Sequence, residues 1–222
     1  MKKKLATILC LIALCDLALA QKIVKIGKLK AVHSPQTTQA RTPAPEAPQA
    51  LKKIFGNLGS KTSAYNPSTG WLVAGPLSVN GSDQFFGLPF TPKVNAHVFQ
   101  IRAAVLYNGR GDNQVNLSLY TDGGGVPGTL IGGPVTVTNL PFAPTCCQLA
   151  IGNLATSVAV TAGTQYWIVA DTPLSGPGSD FFGTWAWVSS SHLQAVIQND
   201  STWSSLTTED QNAAGAVYGT IP

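Results

Sequence analysis

The stretch "QVNLSLYTDGGGVPGTLIGG", residues 114–133, sets alternating apolar and polar residues directly before a cluster of glycines. Val115 and Leu117 share one face of an extended strand, because successive side chains of a β-strand point to opposite faces. The three glycines that begin at Gly123 permit positive φ angles, and Pro127 fixes its own φ just before another glycine. The segment therefore predicts a strand, a turn and a second strand.

The same period of two recurs through residues 63–222, in segments such as "VTVT", "TSVAVTA" and "QYWIVAD". The last of these is apolar on both faces, which predicts a strand in the middle of a sheet. Short strands separated by turn residues, with no helical period between them, are typical of two packed antiparallel sheets. We therefore predict an all-β fold, an antiparallel β-sandwich of the jelly-roll-like kind.

The first twenty residues have the three parts of a secretory signal peptide. Three lysines that begin at Lys2 precede the apolar run 5–14, and the small-x-small sequence 18–20 precedes Gln21. We predict cleavage after residue 20 and a secreted product, extracellular or at the cell surface, with the periplasm as the alternative. We expect no transmembrane segment in the mature chain.

Residues 21–62 form a basic linker rich in Pro, Thr and Gln, with eight basic residues against Glu46, a net charge of +7. Residues 63–222 have three basic and eight acidic residues, a net charge of −5. The linker contains too little apolar surface to fold alone. Its positive charge either attracts an anionic surface, such as cell-surface polysaccharide or another envelope component, or is only solvated. Nucleic-acid binding is not expected, because the folded part is acidic.

One piece of the linker has a local pattern. In "ALKKIFGNL", Leu51, Ile54 and Phe55 recur at helical spacing. A helix this short is marginal unless it docks on something larger. We therefore interpret this segment as part of the linker, ahead of a folded domain at 63–222.

The mature chain retains two cysteines, Cys146 and Cys147, because Cys10 and Cys15 lie in the predicted signal peptide. Adjacent Cα atoms lie about 3.8 Å apart, which is less than the usual disulfide range of about 4.4–6.8 Å. A vicinal disulfide and a pair of separate thiols, one buried and one exposed, both remain open.

The tryptophans supply the best candidate ligand-binding residues. Trp185 and Trp187 are two positions apart and share a strand face, and Trp203 follows in "DSTWSS". Flat indoles of this kind stack on sugar rings. The alternative is that the first two fill the core of the sandwich, as tryptophans of such folds do.

Asp112, Asn113 and Asp122 are the candidate metal ligands. They lie in the glycine-containing segments "GRGDNQ" and "TDGGG" and offer the oxygen atoms that Ca²⁺ prefers. The alternative is that these side chains cap turns. We expect no cofactor apart from this candidate structural calcium.

The order of several motifs carries a family resemblance. "GWLVAG" (70–75), "FFGLPFTP" (85–92), "LSLYTDGGGVPGTLI" (117–131) and "VTAGTQYWIVAD" (160–171) follow one another. This order resembles the secreted bacterial β-sandwich domains called choice-of-anchor domains, over about residues 63–220. The resemblance implies an exported sandwich and no assigned activity.

We predict a non-enzymatic structural or interaction domain, secreted or at the cell surface, and assign no catalytic residue. The three histidines are scattered, and three of the seven aspartates in residues 63–222 stand beside Gly or Asn, where they cap turns. The alternative is a carbohydrate-binding module that uses Trp185, Trp187 and Trp203.

Overall fold

The computed structural model of the protein describes residues 50–188, 195–199, 202–206 and 212–222. These residues form fourteen β-strands, and none of them belongs to a helix that could cross a membrane. The first seven strands are β1 (Lys52–Gly56), β2 (Asn66–Ala74), β3 (Gln84–Phe90), β4 (Ala96–Ala103), β5 (Val105–Arg110), β6 (Gln114–Asp122) and β7 (Pro127–Thr138). The other seven are β8 (Ala150–Val160), β9 (Tyr166–Asp171), β10 (Phe182–Val188), β11 (Ala195–Asn199), β12 (Thr202–Leu206), β13 (Asn212–Ala213) and β14 (Gly215–Thr220).

The strands form two sheets. The smaller sheet has the order β1-β14-β4-β8, and the larger has the order β13-β10-β2-β3-β9-β6-β7. In the larger sheet β5 also pairs with β10, and the β11–β12 hairpin runs alongside β3. The ladders between these strands are antiparallel. The predicted antiparallel β-sandwich is confirmed; the predicted signal peptide and residues 21–49 of the predicted linker lie outside the described residues.

The core lies between the two sheets, where the period-two pattern directs the apolar side chains. Val115, Leu117 and Leu119 of β6 are all fully buried there. Strand β9 pairs with β3 on one side and β6 on the other, so the prediction that it is central is confirmed. Its residues Ile168 and Ala170 belong to the same core.

The segment 96–110 divides at Ala104 and passes from the smaller sheet to the larger. The backbone N–H of Ala104 donates to the carbonyl of Ala214 (2.9 Å), and the N–H of Ala186 donates to the carbonyl of Ala104 (2.9 Å). Ala214 marks a second crossing, between β13 of the larger sheet and β14 of the smaller. All three alanines are fully buried, and their small side chains suit a corner where two sheets converge.

Strand β1 differs from the sequence prediction. Residues 52–56 form an edge strand paired with β14 and not a helical or unstructured piece of linker. Ile54 is buried, and the ring of Phe55 lies 5.4 Å from that of Phe90. The helical spacing does not produce a helix, because a short isolated helix is marginal. The open edge of β14 instead supplies backbone hydrogen-bond partners for a strand. The folded domain therefore begins before residue 63.

Candidate functional site

The outer face of the larger sheet carries a second apolar cluster, separate from the core between the sheets. Trp167 and Val169 of β9 point to this face and are 0% and 1% exposed. Half-buried Tyr120, Val126 and Trp203 pack against them. These aromatic rings lie outside the inter-sheet core, so they do not hold the two sheets together.

The register of β6 and β9 explains how polar side chains join this cluster. Alternate residues of each strand face outward, and they meet in three cross-strand pairs, Asn116 with Asp171, Ser118 with Val169 and Tyr120 with Trp167. Side chains that stand directly opposite each other on neighbouring strands lie close enough to interact. We use the name outer-face patch for the following residues: Asn116, Ser118, Tyr120, Val126, Thr136, Trp167, Val169, Asp171 and Trp203.

A chain of hydrogen bonds runs across one end of the outer-face patch. The hydroxyl of Thr136 donates to Oδ1 of Asn116 (2.9 Å), and the side chain of Asn116 hydrogen-bonds Asp171. Burial raises the pKa of Asp171 to about 6, although the hydrogen bond from Asn116 acts in the opposite direction. The carboxyl group therefore changes its charge close to neutral pH.

Tyr120 and Ser118 sit beside this acid. Burial raises the pKa of Tyr120, and the negative charge of Asp171 raises it further. Ser118 is 1% exposed, and within the part of the chain that the structure describes its buried hydroxyl has no hydrogen-bond partner. A buried hydroxyl in this state is uncommon and destabilising.

The side chain of Asp122 lies at the edge of the outer-face patch. Its Oδ1 accepts hydrogen bonds from Nε1 of Trp167 (2.9 Å), Nε2 of Gln165 (2.9 Å) and the N–H of Gly125 (3.0 Å). Its Oδ2 accepts the N–H of Gly124 at 3.2 Å. Burial is the largest single influence and works against ionisation, but the hydrogen bonds together outweigh it and lower the pKa of Asp122. The carboxylate thus fixes both the glycine turn and the indole of Trp167.

We expect Asp122→Ala to lower the free energy of unfolding by about 1–3 kcal/mol, because Nε1 of the fully buried Trp167 loses its acceptor. Urea unfolding followed by tryptophan fluorescence measures the change. Asp122→Asn is the matched control: it keeps an oxygen at the same position and is expected to lose less. Equal stability of Asp122→Ala and the wild type would show that this hydrogen bond contributes nothing.

The structure does not bring the three predicted calcium ligands together. Asp112 and Asn113 precede β6, whereas Asp122 ends it, roughly 30 Å away at the rise of an extended strand. Oδ2 of Asp112 accepts the N–H of Gly178 (2.9 Å), and the Asn113 amide binds both backbone groups of Leu140 (2.9 and 3.0 Å). Turn capping therefore explains these residues. Among the described residues, no group of three His, Cys, Asp or Glu side chains could hold a metal ion.

The structure also does not bring the three tryptophans of the predicted platform together. Trp185 is fully buried in the core, and its Nε1 donates to the carbonyl of Ala214 at 2.8 Å. Trp187 is half-buried with its ring 5.4 Å from that of Trp71, whereas Trp203 belongs to the cluster on the outer face. The three indoles cannot stack on one sugar, because one of them faces the space between the sheets.

The sulfurs of Cys146 and Cys147 are joined in a disulfide. Cys146 is exposed and Cys147 is half-buried against the core. The buried Tyr65 holds the turn, since its hydroxyl is 3.0 Å from the carbonyl oxygen of Thr145 and 2.7 Å from that of Gln148. The pair therefore sits in a turn with a fixed position and one open side.

Asn116, Tyr120 and Asp171 are functional candidates that sequence reasoning missed. The signal was present in the alternation of "NLSLY" and in the two apolar faces of "QYWIVAD", which together leave an apolar face outside the core. Comparisons with protein-family models, curated proteins and solved structures find no match to this chain. The candidate site therefore rests on its own geometry.

Proposed function

We propose that the protein is a non-enzymatic binding domain that acts outside the cytoplasm and meets its partner through the outer-face patch. The observation that carries this proposal is the position of Tyr120 and Trp203, half-buried on Trp167 and Val169 and outside the core. The predicted signal peptide and the resemblance to choice-of-anchor domains support the proposed location.

The packing of the Tyr120 and Trp203 rings favours binding of a partner. A ring that is already held by its neighbours loses little conformational freedom when a partner covers it. Tyr120 and Trp203 both rest on the fully buried Trp167 and Val169, and Asp122 holds the indole of Trp167 in place. The surface is therefore formed before a ligand arrives, as most binding surfaces are.

A carbohydrate is the second, more specific candidate, and the neighbours of the rings favour it. A sugar offers an apolar ring face for stacking and hydroxyl groups at its edge for hydrogen bonds. Asn116, Thr136 and Asp171 supply amide, hydroxyl and carboxyl groups on the same face as Tyr120. Cell-surface polysaccharide is the partner that fits both this chemistry and the proposed location.

The same arrangement supports binding over hydrolysis of such a ligand. Glycoside hydrolysis in its common forms uses two facing carboxyl groups. The groups that act on Asp171 are the amide of Asn116 and the phenol of Tyr120, which can orient a hydroxyl group but do not form an acid–base pair of carboxyls.

A glycan array probed with the purified chain and its variants tests the proposal. We expect Trp203→Ala and Tyr120→Ala each to weaken binding about tenfold or more, as expected for aromatic residues at the centre of an interface. Phe142→Ala is the matched control, because Phe142 is an exposed ring outside the outer-face patch. Thermal melts identify any variant that has lost its fold.

The outcomes separate the two candidates. Glycan binding that persists in both patch variants would exclude the outer-face patch. A chain that binds no glycan, but binds intact envelope preparations in a Trp203-dependent way, would retain the binding domain and exclude the carbohydrate.

A further inference from the structure

The two sulfurs of the vicinal disulfide have different surroundings. Cys146 is exposed to solvent, whereas Cys147 is half-buried. The backbone N–H of Ala64 donates to Sγ of Cys147 at 3.3 Å. Sγ of Cys146 instead lies 3.7 Å from the carbonyl oxygen of Tyr65. A hydrogen-bond donor thus faces one sulfur and an oxygen lone pair faces the other.

These surroundings favour negative charge on Cys147 and oppose it on Cys146. A thiolate is stabilised by a nearby N–H and destabilised by a carbonyl oxygen. In thiol–disulfide exchange, the rate depends on access to the attacked sulfur and on how well the departing sulfur carries negative charge. Both factors select Cys146 as the attacked sulfur and Cys147 as the leaving group.

We propose that the Cys146–Cys147 disulfide is a thiol-exchange site that accepts a low-molecular-weight thiol on Cys146. The incoming thiol first loses its proton to water. Its thiolate forms a bond to Sγ of Cys146, the Cys146–Cys147 bond breaks, and the electron pair leaves on Cys147 as a thiolate. The incoming sulfur is oxidised to the disulfide level while Cys147 is reduced.

Two reactions can follow the formation of the mixed disulfide. Attack by the Cys147 thiolate on Cys146 expels the small thiol and restores the original disulfide. Attack by a second thiol molecule on the mixed disulfide instead leaves two protein thiols and one oxidised small disulfide. The Tyr65 hydroxyl contacts the carbonyls of Thr145 and Gln148, so the turn has an anchor that does not depend on the sulfurs.

Mass spectrometry with reduced glutathione as the probe tests this. The unreduced full chain is incubated with glutathione at millimolar concentration, quenched with N-ethylmaleimide and digested. We expect glutathione on Cys146 and maleimide on Cys147, and we expect this isomer to exceed the reverse one by about tenfold, because access and leaving-group stability act together. Peptide mapping separates these residues from Cys10 and Cys15.

Three results would overturn the proposal. Maleimide labelling of both residues in untreated, unreduced protein would show that no disulfide is present. Glutathione mainly on Cys147 would reverse the assigned roles. A disulfide that stays unmodified would show that the exposed sulfur is not open to attack. Tyr65→Phe keeps both cysteines and the Ala64 N–H, and we expect it to give the same isomer.

Discussion

Replacing Trp185 by alanine is expected to lower the free energy of unfolding by about 3–5 kcal/mol, the usual cost of removing a large aromatic side chain from a core. The indole is fully buried and lies edge-on to Phe86, with 5.8 Å between ring centroids. Its Nε1 also donates to the carbonyl of Ala214 at 2.8 Å, at the corner where the chain changes sheets. The substitution therefore leaves both a cavity and a carbonyl without its indole donor.

Two further variants make the Trp185 experiment specific. Trp185→Phe keeps a ring but removes the N–H, and a loss of about 1–3 kcal/mol is expected. Trp203→Ala removes an indole from the outer face, where the side chain is only half-buried, and a smaller loss than for Trp185→Ala is expected. Urea denaturation followed by circular dichroism compares all three. If the Trp185 and Trp203 variants lose equal stability, the two indoles are not divided between core and surface as described.

The second large expected effect is a pH-dependent change in stability at Asp171. Burial raises the pKa of Asp171 to about 6 from its ordinary value of 3.8, so the folded state prefers the protonated carboxyl. The resulting stabilisation is fully present below the unfolded pKa, near 4, and is lost as the pH rises through about 6. A shift of this size corresponds to about 3 kcal/mol as an upper figure. We expect Asp171→Asn to match the wild type near pH 4 and to exceed its stability by about 2–3 kcal/mol at pH 8.

Asp122→Asn provides a control of opposite sign on the same strand pair. The pKa of Asp122 is lowered in the folded state, so its contribution is present above the unfolded pKa and is lost as the pH falls through the folded pKa. We expect that variant to lose stability at pH 8 and little at low pH. Urea titrations at intervals from pH 2 to pH 8 provide the comparison, because the contribution of Asp122 is lost only below its unfolded pKa. A constant difference between Asp171→Asn and the wild type across this range would contradict the burial of Asp171.

The cost of keeping Asp171 ionised bears on the candidate site. A mostly buried carboxyl whose charge destabilises the fold is the kind of feature that binding and catalytic sites retain. Here it lies in the outer-face patch with the buried Ser118 hydroxyl, which also costs stability. Two destabilising polar groups in one small area are what the proposed binding surface leads us to expect.

Local patterns in the sequence were enough to predict the class of fold and several of its strands. Alternating residues in "QVNLSLY" and the glycines after Asp122 predicted a hairpin, and β6 and β7 form it. The doubly apolar "QYWIVAD" predicted a central strand, and β9 is central. These predictions succeed because the period of a strand and the conformational freedom of glycine are properties of a few neighbouring residues.

Which face of each strand meets the other sheet was decided only by the tertiary structure. Alternation shows that Trp185 and Trp167 each lie on an apolar face, but only the packing of the sheets buries Trp185 in the core and leaves Trp167 on the outer face. In the same way, the crossing at Ala104 and the pairing of β1 with β14 depend on partners far along the chain. The pKa of Asp171 follows from that arrangement, because burial comes from residues that are distant in sequence.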